Sequence, residues 1–152
     1  MPISRNITSN SAKDTIYIGK AIAKNLRKGD IICLFGQLGS GKTVLVKGIA
    51  LGLGIKNNTV VSPSFVLLRE YPKGRLPLYH FDLYRLKGLC EIAKLGYEEY
   101  LYGEEVSIIE WADRLGPLLP KEYLRIEIFI KAKNKRLFKF KAFGKRYEDI
   151  SY

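Results

Sequence analysis

Apolar residues in the first third of the chain predict a helix, a strand and a second helix. Serine and asparagine at residues 9–11 can cap a first helix that runs to about Leu26. Its apolar and small residues fall on one face, which consists of Ala12, Ile16, Gly19, Ala23 and Leu26. Residues 30–35 form a short apolar run typical of a buried strand, and helical spacing returns over residues 43–53.

The remaining pattern predicts two antiparallel hairpins separated by helical segments and a second buried strand. The turn signal Pro72-Lys-Gly-Arg75 joins residues 65–71 to residues 76–83, and helical spacing over residues 88–102 is interrupted at Gly96. A buried strand follows at 106–110, a short helix or loop at 113–120, and a second hairpin at 123–130 and 136–143. This interleaving predicts one α/β domain, residues 1–152, with three layers and a mixed parallel/antiparallel central sheet.

The first strand and second helix flank Gly36-Gln-Leu-Gly-Ser-Gly-Lys-Thr43, which fits the phosphate-binding pattern G-x-x-x-x-G-K-[ST]. Its glycines permit positive φ and close approach, so that backbone N–H groups and the helix N-terminus can bind phosphates. Lys42 is expected to contact the β- and γ-phosphates and Thr43 to ligate Mg²⁺. We therefore expect a P-loop NTPase-like domain with ATP and Mg²⁺ as ligands. Its nucleotide-binding residues are Gly36, Leu38, Gly39, Ser40, Gly41, Lys42 and Thr43.

Composition says more about where in the cell the protein acts than about the reaction it performs. Hydrophobic residues make up 47% of the chain and charged residues 27%, and no apolar run approaches the length of a membrane helix. The first residues lack the apolar core of a signal peptide, which favours a cytoplasmic protein without membrane association. The two cysteines, Cys33 and Cys90, lack metal-site spacing and are interpreted as core thiols in a reducing compartment.

The net charge of +11 is concentrated near the C-terminus, between Lys131 and Arg146. Such a cluster attracts nucleic acids and acidic partners. It also suits the exposed edge of a hairpin, where lysines prevent pairing between sheets. We favour edge protection over direct binding of nucleic acid.

Two carboxylates stand at the ends of predicted strands, Asp82 after residues 78–81 and Glu110 after residues 107–109. A phosphate-loop enzyme needs such an acid to hold Mg²⁺, although either one can instead be a strand-end carboxylate that caps a helix. A guanine-reading motif is rejected, because Leu137 occupies the position of its aspartate in the segment that begins at Asn134. Adenine is therefore the expected base.

Four blocks follow one another along the chain: the phosphate loop, Ser62-Pro-Ser-Phe65, His80-Phe-Asp-Leu-Tyr-Arg85 and Ile109-Glu-Trp111. Together they resemble the bacterial TsaE (YjeE-type) ATPase family over roughly residues 11–143. Two positions depart from the family pattern. Ser64 stands where threonine is usual, and Ala112 stands where proline often follows the tryptophan.

The resemblance implies an ATPase that supports formation of threonylcarbamoyladenosine in tRNA. Its partners would be the threonylcarbamoyl-transferring enzyme and its companion subunit, of TsaD and TsaB type. Asp82 and Glu110 would act with Lys42 in catalysis, and with Thr43 at the metal. Ser62, Ser64 and Trp111 would form a nucleotide-dependent switch or partner surface, although Trp111 also suits a core position. His80 is expected to be a structural hydrogen-bonding residue, and the role of Arg85 stays open.

Two alternatives remain on the sequence alone. A small-molecule phosphotransferase would use the same phosphate loop, although the chain shows no arginine-rich substrate lid. A basic nucleic-acid-binding module with ATP only as a ligand would use the C-terminal cluster.

Overall fold

A mixed sheet of seven strands forms the centre of the computed structural model, which describes residues 3–56 and 67–150. In this region the strand order is β1-β7-β6-β2-β5-β4-β3. Strand β2 runs parallel to β5 and β6, β4 runs parallel to β5, and the other pairs are antiparallel. The strands are β1 (Ile3–Ser9), β2 (Ile31–Phe35), β3 (Leu68–Tyr71), β4 (Leu78–Asp82), β5 (Val106–Glu110), β6 (Tyr123–Ile130) and β7 (Arg136–Phe143).

Helices cover both faces of the sheet and create two apolar cores, which confirms the three-layer α/β prediction. One core packs α1 and α2 against the sheet, and the other packs α3, α4 and a 3₁₀ helix against the opposite face. None of the helices in the described segments is both long and apolar enough to cross a bilayer. The helices are α1 (Ala12–Ala23), α2 (Lys42–Gly52), α3 (Leu89–Leu95), α4 (Tyr97–Leu101), the 3₁₀ helix (Ala112–Leu118) and α5 (Lys145–Glu148).

The strand–loop–helix unit, both hairpins and the helix break at Gly96 are found where the sequence predicts them, apart from residues 57–66, which lie outside the described residues. Helix α1 differs in two respects. It is capped by Ser11, whose side chain accepts from the Asp14 N–H, but it ends at Ala23 rather than near Leu26. Its buried face is rotated from the predicted one because Ala12 is exposed, and it consists of Thr15, Ile18, Gly19, Ile22 and Ala23.

Strand β1 was not predicted from the sequence, and its position changes the interpretation of the basic cluster between Lys131 and Arg146. It pairs antiparallel with β7 along its whole length, from Ile3 opposite Ala142 to Ser9 opposite Arg136. Strand β7 therefore lies inside the sheet, and β1 is the outer strand. The interpretation of Lys139 and Lys141 as edge protection is wrong, because their strand has a hydrogen-bonded neighbour on each side.

The two cysteines have different environments. Cys33 lies in the middle of β2 and is fully buried, and this burial raises the pKa of its thiol. Cys90 is exposed near the start of α3, so its interpretation as a core thiol is wrong.

Helices α1 and α2 pack with their backbones in contact because glycines stand where they meet. A Cβ atom built on Gly19 would lie 2.7 Å from the backbone nitrogen of Ile49, and one on Gly48 would lie 2.5 Å from the carbonyl oxygen of Ile16. A Cβ atom built on Gly52 would lie 2.5 Å from the Cβ of Ala23. Since α2 begins at Lys42, this contact fixes the direction in which the helix points its N-terminus.

We expect Gly48→Ala to destabilise the protein although alanine favours helices by about 1 kcal/mol. The added methyl group would force α1 and α2 apart, at a typical cost of about 1–3 kcal/mol for overpacking. Urea unfolding should show a lower midpoint with an unchanged slope. Gly88→Ala is the control, because a Cβ there meets nothing within 4 Å. Equal stability of the two variants would contradict the packing argument.

Candidate functional site

The phosphate loop follows β2 and depends on glycine in two different ways. Gly39 and Gly41 have φ values of +80° and +104°, a region that other residues rarely adopt. Gly36 has no such φ. A Cβ there would lie 2.6 Å from Ser40 Oγ and 3.0 Å from the Ile128 carbonyl oxygen. Close approach, rather than positive φ, is therefore the reason for glycine at position 36. Leu38 projects from the loop with 70% of its surface exposed.

Lys42 folds back over the loop that precedes it. Its Nζ donates to the carbonyl oxygens of Gly36 at 2.5 Å and Gln37 at 3.0 Å, and it lies 3.9 Å from the centre of the Trp111 ring. Burial lowers the pKa of Lys42, and the negative charges of Glu110, Asp82 and Asp113 oppose this shift. The ammonium group is thus held by neutral carbonyls and a ring face, contacts for which an anion would compete.

The two predicted acids lie side by side at the C-terminal ends of neighbouring parallel strands. Asp82 ends β4 and is paired in register with Glu110, which ends β5. Thr43 Oγ1 donates to both Glu110 oxygens, at 3.0 and 3.2 Å, so the start of α2 is joined to the end of β5. Asp82 Oδ1 accepts from the Tyr84 N–H at 2.9 Å. The structure therefore brings together the three residues predicted to hold a metal.

The buried side chain of His80 contacts the Glu110 carboxylate. It is fully buried in β4, and its Nε2 lies 2.5 Å from Glu110 Oε2. Its Nδ1 is buried with no hydrogen-bond partner among the described residues. The ring has no exposed surface, and its contact with the carboxylate lies inside the protein.

Trp111 follows Glu110 in a strained conformation and forms a wall of the site. Its φ of 58° is the only positive value found for a non-glycine residue within residues 3–56 and 67–150. The Tyr84 ring lies beside it at a centroid distance of 4.9 Å. The side chain is half-buried, and it packs against the second core on one side and against Lys42 on the other, so Trp111 lies between the core and the cavity.

An open cavity of about 480 Å³ lies between the phosphate loop and the ends of β4 and β5, and its walls include Lys42, Asp82, Glu110 and Trp111. A smaller cavity of about 170 Å³ lies on the other side of the loop, against the start of α1 and the β6–β7 turn. Both cavities share Gly39, Ser40, Gly41 and Val44. The site therefore has two compartments that meet at the phosphate loop.

Some of the lining residues were not predicted from the sequence. Tyr84 stands two residues after Asp82, and this position was the only available signal for its place in the wall. Arg85, whose role the sequence leaves open, also lines the larger cavity. Arg136 reaches the loop from β7, and no local pattern indicates this contact. Ser62 and Ser64, the predicted switch residues, lie outside the described residues.

This arrangement occurs in a chain that is similar to known proteins over most of its length. Residues 9–138 match the family described as threonylcarbamoyl adenosine biosynthesis protein TsaE. The protein of that name from Bacillus subtilis is 43% identical over 136 residues, which cover 90% of this chain and 84% of that protein. Its counterpart from Treponema pallidum is 42% identical over 128 residues, covering 84% and 93%.

A solved structure shows the same architecture. The crystal structure of Bacillus subtilis YdiB matches with a TM-score of 0.86 at 37% sequence identity, covering 99% of this chain and 93% of that one. Family model, sequence relatives and fold therefore agree with the motifs of the site, and this chain belongs to the TsaE family.

Proposed function

We propose that this protein is an Mg²⁺-dependent ATPase that assists formation of threonylcarbamoyladenosine in tRNA. The pathway is inferred from the names of its relatives, and the chemistry from the site. One observation supports hydrolysis above all others: the Thr43 hydroxyl at the start of the loop helix is hydrogen-bonded to the buried Glu110 carboxylate. This contact supports the proposal because it joins the loop that would bind phosphates to a carboxylate that would hold the metal.

Different groups of the chain would bind the phosphates, the nucleoside and the metal. Loop N–H groups from Gly36 to Thr43 and the N-terminus of α2 would bind the phosphates, and Lys42 would exchange its carbonyl contacts for phosphate oxygens. The smaller cavity is large enough to receive part of the nucleoside. Because nucleotide triphosphates carry several negative charges, exchange of neutral partners for phosphate stabilises the charged form of Lys42.

Three oxygen ligands suit Mg²⁺, which prefers a few protein oxygens together with water and substrate phosphates. Thr43, Asp82 and Glu110 would hold the ion, which supplies neutralisation of charge on the β- and γ-phosphates. His80 keeps Glu110 turned towards Thr43, while Asp82 is fixed by the Tyr84 N–H. Trp111 and Tyr84 would exclude bulk water from one side of the phosphates.

By family membership, the proposed partners are the threonylcarbamoyl-transferring enzyme and its companion subunit, of TsaD and TsaB type. ATP hydrolysis would reset that complex between turnovers. The deciding experiment measures release of labelled phosphate from ATP by the purified chain, with and without the partner complex. We expect the rate to rise when the complex is added. Transfer of label to an acceptor molecule would instead identify a phosphotransferase.

Replacement of Lys42 tests nucleotide binding. Lys42→Ala removes a charge-assisted contact of the kind worth about 1.5–3 kcal/mol, so ATP should bind roughly 10- to 100-fold more weakly in calorimetry. Lys47→Ala in the same helix is the control and should retain affinity. Unchanged ATP binding by a folded Lys42→Ala protein would overturn the phosphate-loop assignment.

The two acids should be needed for turnover rather than for folding. Asp82→Asn and Glu110→Gln keep side-chain volume and lose charge, so each should slow hydrolysis on the order of 100-fold or more, because metal-dependent charge stabilisation is worth several kcal/mol. Glu104→Gln replaces an exposed acid outside the cavity and serves as the control. If one site variant hydrolyses ATP normally, the other residue holds the metal alone.

Trp111 offers a direct test of the proposed switch. Phosphate binding should draw Lys42 away from the ring, so fluorescence from this single tryptophan should differ between ATP-analogue and ADP complexes. Ser64→Ala should reduce that difference and weaken ATP-dependent binding of the partner complex. Identical spectra, together with partner affinity that ignores the nucleotide, would remove Ser62, Ser64 and Trp111 from the switch.

A further inference from the structure

Arg136 joins the phosphate loop to the turn between β6 and β7. Its Nε donates to the Ser40 carbonyl oxygen at 3.0 Å, and its Nη2 donates to that of Gly39 at 3.2 Å. On the other side of the guanidinium group, Nη1 donates to three carbonyl oxygens of the turn. These belong to Ala132, Lys133 and Lys135, at 3.0, 3.2 and 3.1 Å.

The two loop carbonyls belong to peptides whose orientation matters for anion binding. In a trans peptide the C=O and the following N–H point in opposite directions. Fixing the Gly39 and Ser40 carbonyls towards Arg136 therefore turns the N–H groups of Ser40 and Gly41 away from it. The Ser40 N–H donates to the Gln37 carbonyl oxygen at 3.1 Å, so the same restraint also supports a hydrogen bond within the loop. Of the two cavities that meet at the loop, Arg136 lines the smaller one, whereas the acids line the larger.

The loop needs such a restraint because glycine does not supply one. Gly39 and Gly41 flank Ser40 and have positive φ, and glycine loses more conformational freedom on ordering than any other residue. A planar guanidinium has five N–H donors in a fixed arrangement and can bond several carbonyls at once. A lysine ammonium at the same position would keep the charge but not this geometry.

We propose that Arg136 is a positioning residue that holds the phosphate loop in its anion-binding conformation by tying it to the Ala132–Lys135 turn. The inference rests on the proposed function, because it assumes that the loop binds phosphates. Arg136 acts through the Gly39 and Ser40 carbonyls and not by contact with the phosphates.

The chain contains a matched control for this arginine. Arg125 lies on β6 of the same hairpin, is half-buried, and donates to Glu127 at 2.9 Å while lying over the Phe35 ring. Neither of these contacts involves the phosphate loop, so Arg125→Gln removes an arginine from the hairpin without releasing the loop.

The test compares ATP with inorganic tripolyphosphate, which has no nucleoside, as competitors for a labelled ATP analogue. We expect Arg136→Gln to weaken both by the same factor, about tenfold, since charge-assisted contacts to the loop are lost. Arg136→Lys should remain nearly as weak, and Arg125→Gln should bind both like the original protein. In hydrolysis, Arg136→Lys should raise KM with little change in kcat.

A second measurement uses the nucleotide-free protein. Amide exchange over residues 36–43 should accelerate in Arg136→Gln and in Arg136→Lys, while exchange in β2 and β5 stays slow. This readout does not depend on ATP, so it separates the two proposals. If the original protein binds neither competitor, the proposed function fails. If it binds both and the Arg136 variants behave like it, the positioning role fails.

The remaining outcomes are equally decisive. Loss of ATP affinity with unchanged tripolyphosphate affinity would mean that Arg136 serves the nucleoside, which overturns the proposal. Full affinity in Arg136→Lys would show that charge alone is required, and this result would also overturn the proposal. If Arg136→Gln does not fold, the comparison rests on Arg136→Lys. Weaker binding of both competitors and faster loop exchange in that variant support the proposal, and behaviour like that of the original protein refutes it.

Discussion

The buried carboxylate of Glu110 is the group around which the site is arranged. A charge without water is costly unless hydrogen bonds compensate it, and here the donors come from two other elements. Thr43 reaches it from α2 and His80 from β4. The cost of burying one carboxylate thus fixes the relative positions of a strand end, a neighbouring strand and the helix that begins at the phosphate loop. Loss of either donor would leave part of that cost uncompensated.

The positions of these elements depend in turn on packing far from the site. Helix α2 is held against α1 by glycines that allow their backbones to touch, and the parallel pairing of β4, β2 and β5 carries Asp82 and Glu110 to the same edge of the sheet. Trp111 then adopts a left-handed conformation immediately after β5. Strain of about 1–3 kcal/mol at such a residue is tolerated only when the surrounding structure holds it, and here the Tyr84 ring and Lys42 contact the indole.

Sequence reasoning succeeded where the signal is local. The strand–loop–helix around Gly36–Thr43, both hairpins and the break at Gly96 depend on residues close in sequence, and Asp82 and Glu110 could be placed because each ends an apolar strand. It failed where partners are distant. Strand β1 is mostly exposed and gains its order from β7, more than 120 residues later. The Arg136 contact spans 96 residues, and Cys90 was assigned to the core by residue type alone.

The pairing of β1 with β7 also has a consequence for the order of events during synthesis. Residues 3–9 leave the ribosome more than 120 residues ahead of their partner strand, which begins at Arg136. The core around α1 and α2 is also completed late, because it includes Phe138 and Phe140 of β7. Contacts between distant segments form late, since the connecting chain must first be ordered. A growing chain therefore already carries its phosphate loop before β7 exists, and residues 3–9 are paired only after residues 136–142 have been made.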